Sequence, residues 1–238
     1  MKILCVADHV DPLVYSPQIK QRFAGVDMVL SAGDLPLTYY DFIVSNLNKP
    51  LLFVFGNHNL GSIGVYRRSG DSFKDLEAQG ADSMDAYVGA RYINRKAVRE
   101  KGLIVAGFGG SLLYSHGENQ FSDIRMYVRV LSLLPRLLLN RLLHGRYLDI
   151  LLTHAPPLGV NDRPDRCHTG FKAFRWFVRV FRPAYHVHGH VHLYDRNQPR
   201  EQRYCGTRVI NAYDHCILEV EPPGSRAPRG VSGARTAP

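Results

Sequence analysis

Five short apolar runs in the sequence each stop at side chains that can bind divalent metal ions or transfer protons. Carboxylate, amide and imidazole donors in this mixture suit Mn, Fe, Zn or Mg. A lone histidine after a strand is usually structural, but the same arrangement after five separate runs is difficult to explain by packing. The donors outnumber those that one tetrahedral ion needs, so the pattern predicts a site for two divalent ions. The side chains concerned are Asp8, Asp34, Asn57, His58, His154, His190 and His192.

The apolar runs are typical of buried β-strands, because they are short, rich in β-branched residues and bounded by turn residues. They cover residues 2–7, 28–32, 51–55, 148–153 and 185–188, and further strands are expected at 103–106, 208–211 and 216–220. Helical patterns cover residues 37–47, 123–134, 135–143 and 171–181, and one short helix is expected around 71–79. Strands that alternate with helices predict an α/β fold, in which sites gather beyond the carboxyl ends of the strands.

Length and composition restrict the class of protein further. The 238 residues are 45% hydrophobic, which is enough for a core without disulfides, so the four scattered cysteines are expected to be free. No apolar run is long enough to span a membrane, and the start lacks the pattern of a signal peptide, which predicts a cytoplasmic protein. One domain is expected over residues 1–221, followed by a disordered tail rich in Pro, Gly and Arg at 222–238. The net charge of +9 makes an anionic partner plausible.

The order of the motifs resembles that of the calcineurin-like metallophosphoesterase superfamily, from the first residue to about 220. The motifs are Asp8, Gly33-Asp34, Gly56-Asn57-His58, His154 and Gly189-His190-Val191-His192. Residues 153–159 also resemble the fourth motif of its class III phosphodiesterase-like members. The resemblance implies a four-layer αββα sandwich, formed by two mixed sheets flanked by helices.

The resemblance also implies a role for each donor. Asp8, Asp34 and His192 would hold the first metal ion, and Asp34 would bridge to a second ion held by Asn57, His154 and His190. Mn is the favoured metal, and the two ions would activate a hydroxide that attacks a small phosphorylated substrate, a phosphomono- or phosphodiester. His58 would not bind metal but would donate a hydrogen bond or a proton to the leaving oxygen.

Two positions depart from the motifs of the superfamily. Its first motif is usually D-x-H, whereas this chain has Val10 at the histidine position, with His9 before it and Asp11 after it. Either a turn lets His9 or Asp11 reach the metal, or water fills that position, and weaker binding of the first ion is expected. The second departure is Asn59, where an acidic residue commonly follows.

Other functions and other residues remain open from the sequence alone. A nuclease with the same site is not favoured, because the sequence shows no second domain that would bind nucleic acid. A non-catalytic scaffold that kept the fold is motivated by Val10 alone. The basic faces of the helices are expected to be solvated surfaces, and His186 and His188 to be core residues. Tyr39, Tyr40 and Tyr114 are possible stacking partners for a nucleobase.

Overall fold

The computed structural model describes residues 1–61, 89–115, 117–195 and 197–221. The helix predicted around 71–79 and the tail predicted at 222–238 lie outside the described residues. The strands are β1 (Lys2–Ala7), β2 (Met28–Ser31), β3 (Leu51–Phe53), β4 (Ala90–Tyr92), β5 (Ala97–Glu100), β6 (Leu103–Phe108), β7 (Ser111–Leu112), β8 (Gln120–Phe121), β9 (Ile150–Thr153), β10 (Tyr185–His188), β11 (Glu201–Tyr204), β12 (Thr207–Asn211) and β13 (Asp214–Glu219). The helices are α1 (Ile19–Arg22), α2 (Leu37–Leu47), α3 (Asp123–Leu131), α4 (Leu134–His144) and α5 (Lys172–Phe181).

Two mixed sheets form the centre of the fold. The first has the order β13-β1-β2-β3-β4, the second has the order β11-β12-β10-β9-β6-β5, and β7 pairs with β8 alone. In the first sheet β1, β2, β3 and β4 run parallel, and β13 joins β1 in the antiparallel direction. In the second, β6, β9, β10 and β12 are parallel, while β5 and β11 are antiparallel at the edges. The carboxyl ends of the parallel strands in each sheet therefore meet at one edge.

The alternation of side chains along each strand builds the layers. Ile3 and Cys5 of β1 lie in an apolar cluster between the two sheets, which also includes Ile150 and Val187 of the second sheet. Leu4 and Val6, on the other face of β1, pack in a second cluster with α1 and α2. A third cluster packs α3, α4 and α5 against the outer face of the second sheet. The predicted four-layer αββα sandwich is thus confirmed.

Local signals fix the ends of the helices. Asn48, which follows the last residue of α2, adopts the left-handed conformation, and Gly145 after α4 does the same with φ of 70°. The hydroxyl of Ser122 accepts a hydrogen bond from the backbone N–H of Arg125 and caps the start of α3. Among the helices that the structure describes, none is long and apolar enough to cross a membrane.

Candidate metal centre

The predicted donors follow neighbouring strands and are brought together at their carboxyl ends. Because β1 and β2 are parallel neighbours, the backbone N–H of Asp8 donates to the carbonyl of Gly33 at 3.0 Å, next to Asp34. His154 and His190 follow β9 and β10, which are parallel neighbours in the other sheet. The backbone N–H of His190 in turn donates to the Asp8 carboxylate at 3.0 and 2.9 Å, so the two sheets meet at the site.

Three predicted ligands form a compact group. The ligand atoms of Asp8, Asp34 and His154 lie within 4.8 Å of one another. The Nε2 atom of His154 is 3.3 Å from Oδ2 of Asp34 and 3.0 Å from Oδ1 of Asn57, which adds an amide oxygen to the group. These side chains are almost completely buried, with 0% of His154 and 1% of Asp8 exposed. Among the described residues, neither His190 nor His192 belongs to this group.

The orientation of His154 suits a metal ligand. Its Nδ1 atom donates to the carbonyl of Ala32 at 2.8 Å, which leaves Nε2 directed at Asp34 and Asn57. Metal-binding histidines usually donate their second ring N–H to such a carbonyl, because the bond fixes the ring and its tautomer. His190 has the same kind of partner, since its Nε2 atom lies 2.7 Å from the carbonyl of Cys167.

The backbone at the site is held in a conformation that most residues avoid. Asp8, Asp34 and His190 have positive φ values of 66°, 59° and 68°. Each such residue costs about 1–3 kcal/mol, and strain of this kind concentrates at functional sites.

Glycines in the motifs make room for the donors. A Cβ atom on Gly56 would lie 2.0 Å from Oδ1 of Asp34 and 2.5 Å from Cε1 of His154. A Cβ atom on Gly189 would lie 2.6 Å from Oδ2 of Asp8. A side chain at either position would therefore displace the neighbouring carboxylate or imidazole from its place.

The three charged groups shift one another's pKa. Burial raises the pKa of Asp8 to about 7, with Asp34 adding to the rise and His154 opposing it. Burial would also raise the pKa of Asp34, but the charge and hydrogen bond of His154, together with the N–H of His58, lower it to about 2. For His154, burial would lower the pKa, yet Asp34 and Asp8 raise it to about 9. A proton on His154 therefore balances the buried carboxylates, and a divalent cation would do so in its place.

The remaining predicted residues lie around this buried group. His190 is close, with ring centroids of His190 and His154 4.8 Å apart. His192 is only half-buried, and its Nδ1 atom is 2.9 Å from the hydroxyl of Tyr194. His58 has an exposed side chain, while its backbone N–H donates to Oδ1 of Asp34 at 2.8 Å. That bond holds the backbone of His58 beside Asp34.

The segment after Asp8 contains Val10, which stands where the family motif usually has a histidine ligand. Val10 packs against the apolar cluster beneath the first sheet. The Nδ1 atom of His9 is 2.7 Å from the Asp214 carboxylate, and Asp11 bonds to the ring of His215. A turn does follow Asp8, but both possible replacements are already paired with β13.

Further expectations about individual residues have mixed outcomes. His186 and His188 are fully buried, as predicted for core residues. Tyr39 and Tyr40 are each 1% exposed, which favours the structural role over the possible stacking on a nucleobase. The hydroxyl of Tyr114, by contrast, accepts a hydrogen bond of 3.0 Å from the amide of Asn57.

Asn119 supports the site, although no sequence pattern predicts a role for it. Its side-chain amide donates to the carbonyls of Gly56 and Phe55 at 2.6 and 3.3 Å, which holds the loop that carries Asn57. An isolated asparagine in a polar loop carries no sequence signal for this role, because its partners are more than fifty residues away.

Comparison with known proteins decides the family. A family model described as calcineurin-like phosphoesterase matches residues 1–194. The chain belongs to the calcineurin-like phosphoesterase family. One similar crystal structure matches this chain with a TM-score of 0.63 at 16% identity, and the match covers 91% of this chain and 94% of the other. The crystal structure of TT1561 from Thermus thermophilus matches with a TM-score of 0.59 at 16% identity, and the match covers 90% of this chain and 89% of the other. The comparison with curated proteins gives no match.

The donor set of this calcineurin-like phosphoesterase fits divalent metal ions. Two buried carboxylates, an amide oxygen and an imidazole nitrogen point at one another, a combination that suits Mn, Fe, Zn or Mg. The carbonyls that bond to His154 and His190 supply the outer partners that such ligands need.

Proposed function

We propose that this calcineurin-like phosphoesterase hydrolyses phosphomono- or phosphodiesters with two divalent metal ions, of which Mn is favoured. The observation that carries the proposal is the convergence of Asp8, Asp34 and His154 within 4.8 Å, with Asn57 against the same imidazole nitrogen. Packing alone gives no reason to bury two carboxylates beside each other. A cationic centre gives that reason, and the family supplies a reaction that uses one.

The residues divide into two sets around Asp34, which would contribute to both ions. Asn57, His154 and His190 would hold one ion with Asp34, and Asp8 and His192 would hold the other. Ions bound there would acidify water and neutralise charge on the phosphoryl group. The carbonyls of Ala32 and Cys167 keep the two imidazoles in the orientation needed for this.

His58 is proposed as the general acid. Its backbone N–H is fixed by Asp34 at 2.8 Å, and its imidazole is exposed beside the buried group. A proton donor must reach the leaving oxygen on the open side of the site, and an exposed ring next to the ligands meets that requirement. It would protonate the leaving alkoxide and would then recover a proton from solvent.

The test begins with metal analysis of the purified protein, followed by turnover of p-nitrophenyl phosphate and bis(p-nitrophenyl) phosphate with added Mn. We expect Asp34→Asn to lose metal and activity together, because it removes the charge shared by both sets. Asp41→Asn is the matched control, since Asp41 is an exposed aspartate on α2. Turnover that persists after complete chelation, or an Asp34→Asn variant that keeps metal and rate, would contradict the proposal. A chain that binds metal and turns over no ester would instead be a scaffold.

A second candidate, cleavage of nucleic acid, is favoured by one observation. Lys172, Arg175 and Arg179 line a cleft of about 210 Å³ together with aromatic side chains from three separate elements. The aromatic residues are Tyr127, Trp176 and Tyr204. Tertiary contacts thus add the rings of Tyr127 and Tyr204 to the cations and the Trp176 ring of α5. Such mixtures bind nucleotides by stacking and charge.

Salt dependence separates this candidate from hydrolysis of small esters. Affinity for single-stranded nucleic acid should fall steeply as salt increases, because binding releases counterions. Trp176→Ala and Lys172→Gln should weaken such binding and leave turnover of p-nitrophenyl esters unchanged. Equal affinity for wild type and Trp176→Ala would remove the support that the cleft gives.

A further inference from the structure

The outer face of α3 and α4 exposes more large apolar side chains than a solvated helix pair should. Leu142 is 81% exposed and Ile124 is 77% exposed. Others on the same two helices are between 41% and 63% exposed, namely Val128, Leu131, Leu138, Leu139 and Leu143. Single exposed apolar residues are ordinary, but seven of them on two consecutive helices mark an interaction surface.

The spacing of these residues places them on one outward stripe of each helix. Ile124, Val128 and Leu131 are four and three residues apart in α3, which puts them on one face. In α4 the pairs 138 and 142, and 139 and 143, are each four apart. The opposite faces are already used, because Met126, Val130 and Leu137 are buried against the second sheet. The outward apolar side chains of both helices therefore do not contribute to the hydrophobic core.

The charges on this surface have one sign. Between residues 123 and 146 the sequence has five arginines and one acid, Asp123. The carboxylate of Asp123 accepts from the backbone N–H of Lys172 at 2.9 Å, at the start of α5. Arg125, Arg136 and Arg141 are exposed among the apolar side chains. Arg146 does not contribute, since it pairs with the buried Asp149 at 2.9 Å.

We propose that the outer face of α3 and α4 is a docking surface for an anionic lipid membrane. Apolar side chains flanked by arginines match a bilayer interface, where the apolar groups enter the boundary of the acyl chains and the cations meet acidic headgroups. A second copy of the chain is a poorer occupant, because a symmetric pairing would bring the exposed arginines of both copies together. The surface is separate from the metal site, so the proposal does not depend on catalysis.

Flotation of the full chain with vesicles tests the proposal. We expect binding to vesicles of phosphatidylcholine mixed with phosphatidylglycerol, and much weaker binding to phosphatidylcholine alone. Val128→Gln with Leu142→Gln should reduce the affinity at least about tenfold, because two large apolar side chains no longer enter the bilayer. Arg125→Gln with Arg136→Gln should also weaken binding and reduce its dependence on salt.

The control is Val180→Gln with Ile217→Gln, which changes two exposed apolar residues outside the surface, 46% and 42% exposed. It should bind vesicles as the wild type does, and thermal unfolding should show that all variants fold. Failure of the wild type to float with anionic vesicles would overturn the proposal. So would unchanged flotation of Val128→Gln with Leu142→Gln. A dimer in solution that this double variant dissociates, without any vesicle binding, would assign the surface to self-association instead.

Discussion

The two sides of the proposed metal centre differ in how completely the protein has formed them. On one side, Asn57 and His154 are buried and bonded to each other at 3.0 Å, and a carbonyl fixes the imidazole from behind. On the other side, Asp8 is buried, but His192 is half-exposed and bonded to Tyr194. We call these the His154 side and the Asp8 side, with Asp34 between them.

The difference originates in the segment that follows β1. Val10 packs into the apolar cluster, and His9 and Asp11 pair with Asp214 and His215 of β13. Side chains with ligand chemistry are thus present after Asp8, but their partners in the fold are other protein groups. The lesson is that the number of donors in a sequence does not set the number of ligands, because neighbouring elements compete for them.

His58 provides the largest expected effect, because it stands apart from both sides. His58→Ala should lower kcat by about 10²–10⁴-fold and leave metal content unchanged, since a general acid typically contributes that factor. The loss should be greater for esters with poor leaving groups, which need protonation most. Steady-state kinetics on a series of aryl esters gives the measurement.

Two results would refute this role for His58. Loss of metal from the variant would make His58 a ligand, and an equal loss of rate for good and poor leaving groups would exclude proton donation. Full activity would transfer the role to another residue, with His168 the first to test, because its ring lies 5.4 Å from that of His190.

Removing one histidine from each side compares the two directly. His154→Ala should lower the affinity of the tighter metal ion more than about 100-fold, because loss of outer partners alone costs about 10–100-fold. His192→Ala should leave that affinity almost unchanged and should affect only the weaker ion. Metal titration of both variants, with circular dichroism as a check of folding, is the measurement. Equal losses at both ions would show that the two sides are not distinct.

Gly56 tests whether the close approach at the His154 side is required. Gly56→Ala would place a methyl group 2.0 Å from Oδ1 of Asp34, so we expect a loss of about 1–3 kcal/mol in the free energy of unfolding. Gly25→Ala is the matched control, because nothing lies within 4 Å of its Cβ position. Denaturant unfolding of both variants should show an effect at Gly56 alone. Similar stabilities would mean that the site relaxes easily around the added group.

Substitution of Val10 should give the smallest effect, and it tests metal binding on the Asp8 side. The wild type should bind two Mn ions with unequal affinity, and Val10→His should tighten the weaker ion by about tenfold if the added imidazole reaches it. Val10→Ala controls for the loss of apolar packing. Two equally tight ions in the wild type would mean that His9 or Asp11 leaves its partner and becomes a ligand, and alanine variants of each would show which.

The sequence by itself determined the elements that have strong local signals. Helix α2 was predicted with both ends correct, and β1 and β10 likewise, because an apolar run with clear stop residues is a property of neighbours along the chain. The same runs placed the seven predicted donors after strand ends, and parallel pairing then required those ends to meet. The fold class and the family followed from this pattern, since both depend on order and spacing.

Tertiary structure decided what local patterns cannot contain. Strands β4, β5 and β11 were not predicted, because each is short and is stabilised by pairing with a neighbour in its sheet. The pairs of His9 with Asp214 and of Asp11 with His215 join residues that are 205 and 204 positions apart, and the fold adds Tyr127 of α3 and Tyr204 of β11 to the basic residues of α5 in the cleft. Which donors remain available to a metal, and which apolar faces remain uncovered, depends on every neighbour that packs nearby. Only the folded chain specifies those neighbours.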